Sequence, residues 1–184
     1  MQTGRIELLH GCMFGGKTEE LLRRLKACDA ADVQAFKHAR DDRYGAEAIV
    51  SHGGMKFPAL PVATAAQLHS CVSLHARVIG IDEGHFFDDQ LPEVCARLRQ
   101  DGRRVIITAL QPNSWGVPFA MIERLTRMAD QAELVLAICS RCGRPADRTQ
   151  RTKPVTAGRI VGGPEAFEPR CGLCWAAPPE PMVD

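Results

Sequence analysis

Residues 11–18 read Gly-Cys-Met-Phe-Gly-Gly-Lys-Thr, and this run constrains the fold more than any other part of the chain. It matches G-x-x-x-x-G-K-[ST], a pattern in which glycines let the backbone curl until successive amide groups point at phosphate oxygens. An apolar run at 5–10 precedes it, and 18–28 follows with leucines at helical spacing. This context favours a phosphate loop over an ordinary glycine-rich turn. The predicted phosphate-binding residues are Gly11, Cys12, Met13, Phe14, Gly15, Gly16, Lys17 and Thr18.

Strand-like and helix-like segments alternate along the first three quarters of the chain. Further strands are predicted at 33–37, 77–82, 104–110 and 133–138, and further helices at 65–72, 89–99 and 118–128. Residues 39–58 are polar and contain glycine, which predicts an exposed loop. The alternation indicates a parallel sheet flanked by helices, and together with the phosphate loop we expect an α/β P-loop fold of the RecA-like kind.

Two acidic residues, Asp82 and Glu83, close the apolar strand predicted at 77–82. Open α/β sheets bind ligands at the carboxyl ends of their strands, which is also where the phosphate loop lies. We expect Asp82 and the Thr18 hydroxyl to hold magnesium. We expect Glu83 to accept a proton from an attacking hydroxyl. A polar strand end without function is the alternative.

Four of the eight cysteines form two C-x-x-C pairs near the C-terminus, at Cys139, Cys142, Cys171 and Cys174. Each pair turns its sulfurs toward one point, so two pairs predict a closed Cys₄ zinc site that anchors the segment between them. The competing interpretations are paired core cysteines and a redox dithiol, which expects one pair at a helix start and fits two pairs poorly. Cys12 adds a separate hypothesis: helix amides that lower its pKa would make the phosphate loop redox-sensitive.

Charge and hydropathy exclude other classes of protein. The formal net charge is +1 with interspersed signs, so no basic block predicts nucleic-acid binding. The N-terminal residues lack an apolar signal core, and no run is long enough to span a bilayer. These features predict a cytoplasmic protein without a membrane or nucleic-acid partner.

Several motifs in one order make the chain similar to the zinc-containing, cytosolic thymidine kinases from about residue 6 to 175. Besides the phosphate loop and the cysteine pairs, these motifs are Lys37 with 41–44, Ser51-His52-Gly53, 82–87, Ala109-Leu110 with Pro118-Phe119, Thr149-Gln150-Arg151 and Val161-Gly162-Gly163. The resemblance implies transfer of the γ-phosphate of ATP, with Mg²⁺, to the 5′-hydroxyl of thymidine or deoxyuridine. The product would be dTMP for nucleotide salvage and DNA synthesis.

The same resemblance implies roles for individual residues. Glu83 would be the catalytic base, and Asp41 with Arg43 would lie near the phosphates and magnesium. The segment between the cysteine pairs would act as a lasso over the base. The implied nucleoside-binding residues are Met13, Phe86, Leu110, Phe119, Thr149, Val161, Gly162, Gly163 and Phe167. Family members are typically oligomeric, often tetrameric.

The chain departs from the family pattern at several positions. Proline is usual at Cys12, serine at Gly15, glutamine at His85, tyrosine at Phe167 and arginine at Gly172. The largest departure is Gln111-Pro112-Asn113-Ser114-Trp115, where Ser114 replaces a pocket phenylalanine and Trp115 is the possible substitute. Losing polar partners loosens selection, so another nucleoside is an alternative acceptor.

Two further alternatives change the class of protein. A zinc-ribbon, nucleic-acid-binding ATPase would need stacking aromatics near the cysteines. A regulatory zinc module is disfavoured by the intact Lys17 and Glu83. The predicted organisation is an ATP-binding α/β domain at 1–138, a Cys₄ zinc and lasso domain at 139–177 and a disordered tail at 178–184.

Overall fold

Six parallel strands form the centre of the protein in a computed structural model that describes residues 4–41, 47–153 and 164–178. In spatial order they are β5 (Leu60–Val62), β2 (Val33–His38), β6 (Val78–Asp82), β7 (Arg104–Leu110), β1 (Arg5–Gly11) and β8 (Gln131–Leu134). The central strand β6 is buried along its whole length. Such burial on both faces explains why these strands read as continuous apolar runs.

Helices cover both faces of this sheet. They are α1 (Lys17–Lys26), α2 (Ala65–Cys71), α3 (Leu91–Gln100) and α4 (Ala120–Met128). The leucines of α1 pack with Leu9, Ala35 and Ile106 on one face. The apolar sides of α2, α3 and α4 pack on the other face, against the residues of the same strands that point the opposite way.

Short antiparallel pairs complete the described structure. β3 (Ala48–Val50) pairs with β4 (Lys56–Pro58) beside the sheet. Two further pairs carry the four C-terminal cysteines between and beside them, and we call this part the cysteine module. Its strands are β9 (Ala137–Ile138) with β10 (Pro145–Ala146), and β11 (Arg148–Arg151) with β12 (Phe167–Arg170).

Two predictions about local structure are wrong. The segment 39–58, predicted as loop only, contains β3 and β4. The single strand predicted at 133–138 is divided between β8 and β9, which lie in different sheets. The division arises because the ladder between β8 and β1 ends at Leu134. The last residue pair of that ladder is His10 with Leu134, and β1 then enters the phosphate loop. Beyond Leu134 the chain leaves the sheet and turns into the cysteine module.

The fold class is confirmed: a parallel sheet flanked by helices, with a strand–loop–helix unit at 5–26 and a C-terminal cysteine cluster. Among the described residues, no helix combines the length and apolar character that crossing a membrane requires.

Glu7 is an acidic residue inside the sheet, only 2% exposed. Its carboxylate accepts hydrogen bonds from Arg104 Nε at 2.6 Å and Arg24 Nη1 at 2.9 Å, and Arg5 Nε lies 2.7 Å away. Arg24 continues to Glu133 on β8. Burial works against ionisation, but the arginines outweigh it and lower the pKa of Glu7. This network ties α1, β1, β7 and β8 together.

Replacing Glu7 by Gln should lower the free energy of unfolding by about 3 kcal/mol, because removing one partner leaves the others with an uncompensated charge. A depressed pKa contributes stability above the unfolded value of 4.5 that is lost at lower pH. The difference from wild type should therefore be full at pH 7 and shrink below pH ~4. Urea denaturation at both pH values measures it, with exposed Glu123→Gln as the matched control. A difference independent of pH would contradict the assignment.

Candidate active site

The phosphate loop, residues 11–18, connects the end of β1 to the first turn of α1. Gly16 has φ 88° and caps the helix, and open space surrounds the position that a Cβ would take, so the left-handed backbone is what requires glycine. Phe14 also has positive φ, at 65°, which is costly for a residue with a side chain. The Lys17 ammonium donates to the Cys12 carbonyl oxygen at 2.5 Å. This curled backbone at a helix N-terminus suits a phosphate group.

Cys12 lies at the back of this loop with its side chain fully buried. Its thiol donates to the Ala146 carbonyl oxygen at 3.3 Å. Burial raises the pKa of the thiol, and the Lys17 charge opposes that effect only in part. This direction is opposite to the one that the hypothesis of a redox-sensitive Cys12 requires.

Asp82 ends β6 beside the phosphate loop and is 3% exposed. Its Oδ1 accepts hydrogen bonds from Thr18 Oγ1 at 3.2 Å and from Thr108 Oγ1 at 2.5 Å. Burial, followed by the charge of Glu83, raises its pKa to about 7, while the hydrogen bond from Thr108 opposes the rise. A buried carboxylate that resists ionisation while touching the Thr18 hydroxyl suits a divalent cation, so these two side chains fit the expected magnesium site.

Glu83 follows directly, in the left-handed conformation with φ 53° and ψ 46°. Its amide donates to Thr108 Oγ1 at 3.0 Å, which holds this unusual backbone in place. The side chain remains 17% exposed, and its Oε2 lies 3.5 Å from His85 Nδ1. Because the left-handed residue turns the chain out of the strand, the Glu83 carboxylate keeps access to solvent while that of Asp82 stays buried.

Lys37 and Asp41 lie next to this acidic pair. Lys37 is 1% exposed on β2, directly opposite Asp82 in the strand register, and its Nζ is 3.7 Å from Asp41 Oδ2. The ammonium also donates to the Ala48 carbonyl oxygen at 3.3 Å. A buried cation paired with Asp41 lowers the cost of placing that carboxylate at the same sheet edge as Asp82 and Glu83. Arg43, the other residue predicted for this position, lies outside the described residues.

An aromatic group forms the next part of the site around His85. Its ring centroid lies 4.2 Å from that of Phe86 and 5.4 Å from that of Phe119. His85 Nδ1 accepts a hydrogen bond from the Leu110 amide at 3.1 Å. Three residues predicted to contact a nucleoside, Phe86, Leu110 and Phe119, are thus gathered by a histidine at the position where the family pattern has glutamine.

The other predicted nucleoside residues divide into three groups. Thr149 contacts the phosphate loop, because its Oγ1 accepts a hydrogen bond from the Met13 amide at 3.1 Å. Phe167 lies in β12 opposite Arg151. Val161, Gly162 and Gly163 lie outside the described residues.

The divergent loop at 111–115 places its two replacement residues differently. Ser114 is buried, at 6% exposure. Trp115 turns toward the cysteine module, with the Arg151 guanidinium 3.8 Å from its ring centroid. The indole therefore stacks on a residue of β11.

The four cysteines of the C-x-x-C pairs come together as predicted. Their sulfur atoms all lie within 4.8 Å of one another, and Cys142 Sγ is 3.6 Å from Cys171 Sγ. A tetrahedral zinc site with Zn–S bonds of about 2.3 Å needs sulfurs ~3.8 Å apart, so the group fits zinc. Burial resists ionisation of Cys139, but backbone amides, that of Cys171 foremost, outweigh it and lower its pKa to about 6. Zinc ligands must be thiolates, and this environment favours one.

Sequence reasoning missed Thr108 and left Lys37 and His85 without a role. Thr108 is a lone hydroxyl residue near the carboxyl end of an apolar strand, and its position was the only indication available. Lys37 is a charged residue near the end of β2, on the same face of the strand as the apolar Val33 and Ala35. Thr108 and Lys37 lie at the site because β7 and β2 both pair with β6. That pairing cannot be read from the order of residues along the chain.

Comparisons with known proteins agree with this geometry. A family model described as thymidine kinase matches residues 4–175. Among solved structures, an ATPase domain resembles the chain with a TM-score of 0.50 at 13% sequence identity, over 74% of this chain and 70% of that one. At that identity the structural likeness shows the fold alone. The family match confirms the resemblance inferred from the motifs.

The raised pKa of Asp82 predicts that ionisation of its carboxyl destabilises the fold of the nucleotide-free protein. A carboxyl whose folded pKa lies above its unfolded value of 3.8 stabilises the fold at low pH, and that contribution is lost as pH rises toward about 7. Asp82→Asn keeps an acceptor for Thr108 but removes the charge. Its Tm relative to wild type should therefore rise by about 2 °C or more between pH 5 and pH 8.

Thermal unfolding without nucleotide or magnesium measures this difference. Asp101→Asn, at an exposed position near the start of β7, is the control and should show no such trend. A Tm difference that stays constant or falls with pH would show that Asp82 is not forced to ionise in the fold.

Proposed function

The chain belongs to the thymidine kinase family and is a phosphotransferase, and from this premise we propose that it transfers the γ-phosphate of ATP to the 5′-hydroxyl of thymidine or deoxyuridine. The observation that carries the proposal is the position of Glu83. Its partly exposed carboxylate follows the buried Asp82, whose Oδ1 is 3.2 Å from the Thr18 hydroxyl of the phosphate loop. A proton acceptor next to a phosphate site is what a hydroxyl acceptor requires.

The phosphate loop and Lys17 bind the phosphates in this proposal. The Lys17 ammonium, now on the Cys12 carbonyl, exchanges that partner for phosphate oxygens. Thr18 and Asp82 hold magnesium, which neutralises charge on the transferring phosphoryl group when it is bound with ATP. Asp41 and Arg43 are proposed to lie near the same phosphates. Transfer then depends mainly on alignment of the acceptor oxygen and on fixed charge.

Glu83 accepts the proton of the 5′-hydroxyl as the phosphoryl group is transferred. The left-handed backbone at Glu83 directs its side chain away from the sheet interior, and Thr108 fixes that backbone. Phe86, Phe119 and Leu110 line an apolar wall around His85 that excludes water from the reaction. Met13, Thr149, Phe167 and residues 161–163 complete the proposed nucleoside site.

A second acceptor class is favoured by one observation. Ser114 is buried where the family pattern has a pocket phenylalanine, and the neighbouring Trp115 ring stacks on Arg151 of β11. A different nucleoside is therefore the alternative substrate. The nucleic-acid-binding ATPase receives less support, because Trp175 donates to the Thr149 carbonyl oxygen and is covered by Arg148 rather than presented for base stacking.

Other expectations remain part of the proposal. The four cysteines are proposed to hold structural zinc, since their sulfurs lie within 4.8 Å of one another. A role in nucleotide salvage, a cytoplasmic location and assembly into a homo-oligomer, with the tetramer implied by family resemblance, are proposed on the same basis.

Glu83→Gln should reduce kcat by about 10²-fold or more, because an amide cannot take the hydroxyl proton. Its affinity for ADP with magnesium should stay within about twofold of wild type, since Glu83 does not contact the phosphate loop in this proposal. Steady-state kinetics with thymidine and calorimetry with ADP measure the two effects. Glu123→Gln, exposed on α4, is the control for both. Full turnover by Glu83→Gln would remove Glu83 from the catalytic role.

A panel of nucleosides with ATP and magnesium tests the acceptor itself. We expect phosphorylation of thymidine and deoxyuridine at the 5′ position, scored by product mass. Transfer confined to another nucleoside would select the alternative linked to Ser114. ATP hydrolysis that single-stranded DNA stimulates, with no nucleoside phosphorylated, would instead support the ATPase interpretation.

A further inference from the structure

The back of the phosphate loop packs directly against the cysteine module. The Cys12 side chain, fully buried, lies in one apolar cluster with Ala137, Cys139, Ala146 and Cys171. Two members of that cluster, Cys139 and Cys171, belong to the group of four cysteines that fits zinc. The Cys12 thiol also donates to the Ala146 carbonyl oxygen at 3.3 Å. One residue of the phosphate loop is therefore part of the core of the cysteine module.

A second contact joins the two regions through a hydrogen bond. Thr149 Oγ1 accepts from the Met13 amide at 3.1 Å, and Thr149 is 1% exposed. The threonine is held in β11, whose ladder with β12 ends next to Cys171. The position of this acceptor therefore depends on the fold of the module.

A third contact is steric. A Cβ built on Gly15 would lie 2.8 Å from the Val135 carbonyl oxygen and 3.6 Å from the Ala137 nitrogen. The backbone that leads into the module thus lies directly behind the loop, at a position where the family pattern has serine. Because the close neighbour is a main-chain oxygen, it cannot move aside without moving the chain that carries it.

The contacts between loop and module also affect Lys17, the side chain proposed to bind the nucleotide phosphates. The carbonyl oxygen of Cys12 accepts from the Lys17 ammonium at 2.5 Å, while the side chain of the same residue is fixed in the module. Phe14, which lies between Cys12 and Lys17 in the sequence, has a positive φ. A residue with a side chain keeps this unfavourable conformation only when the surrounding structure stabilises it. A shift of the module would therefore move both the loop backbone and Lys17.

We propose that the cysteine module is a structural part of the nucleotide phosphate site, in which Cys12 and Thr149 act as positioning residues that hold the phosphate loop and Lys17 in a binding conformation. The inference rests on the proposed function only in taking residues 11–18 to bind nucleotide phosphates. It assigns the zinc cluster a role beyond anchoring the segment between its cysteine pairs. If anchoring were the whole role, zinc would affect the nucleoside alone.

The test measures ADP with magnesium by calorimetry on the full chain, without any nucleoside. Zinc is removed with a zinc-selective chelator, metal content is measured directly, and far-UV circular dichroism monitors the α/β fold. We expect ADP affinity to fall by about tenfold or more on zinc removal and to recover when zinc is restored. Unchanged ADP affinity in the folded, zinc-free protein would overturn the proposal.

Variants test the two positioning residues with zinc still bound. Thr149→Val removes the acceptor for the Met13 amide at nearly constant volume, and Cys12→Ala removes the contact with Ala146. Each should weaken ADP binding about threefold to tenfold at unchanged zinc content, since a lost hydrogen bond or packing contact of this size has that effect on an equilibrium. Thr149→Ser keeps the hydroxyl and should bind ADP like wild type.

Cys95→Ala is the matched control, since Cys95 is equally buried but lies on α3, away from the loop. It should lower thermal stability without changing ADP affinity. If Thr149→Val and Cys12→Ala bind ADP as tightly as wild type, the positioning role is wrong, and this outcome decides the matter even if the zinc-free protein unfolds. If wild type itself fails to bind ADP, the proposed function fails instead.

Discussion

The parallel pairing of β1, β7 and β6 is the constraint on which the rest of the site depends. Parallel strands end at the same edge of a sheet, so Thr18 of the phosphate loop and Asp82 at the end of β6 come together although they are 64 residues apart. Between them, β7 brings Thr108, whose hydroxyl contacts both Asp82 and the Glu83 amide. A residue of β7 thus fixes the end of β6 at the point where chemistry is proposed.

Placing several charged and strained residues at this edge of the sheet is energetically unfavourable, and contacts with neighbouring residues offset that cost. Asp82 is buried with a pKa raised to about 7, Glu83 occupies a left-handed conformation, and Phe14 does the same in the loop. Each is unfavourable alone and is held by its neighbours, as strained functional residues generally are. Buried Lys37 offsets part of the negative charge through Asp41. Elsewhere in the sheet, the Glu7 network of arginines joins α1 to the strands and supplies stability away from the site.

Much of the fold followed from pattern alone. The leucines of α1 and the apolar strand at 104–110 were predictable because each has a single periodicity and an unambiguous end. The strand predicted at 133–138 was not, since its division at Leu134 depends on where its partner β1 ends. The loop at 11–18 and the four cysteines were predictable because each motif has a fixed spacing, and Asp82 and Glu83 because they end an apolar strand. Thr108 was missed because a single buried threonine has no such spacing.

The sequence by itself determined the family, the α/β fold class and which residues are the candidate zinc and phosphate groups, since local spacing specifies a glycine-rich loop before a helix and two C-x-x-C turns. Only the tertiary structure decided what those groups touch. It turned Trp115 onto Arg151, placed His85 among the aromatic rings and set Cys12 in the core of the cysteine module. The physical reason is that such contacts join residues far apart in the chain, and close packing rather than local preference selects them.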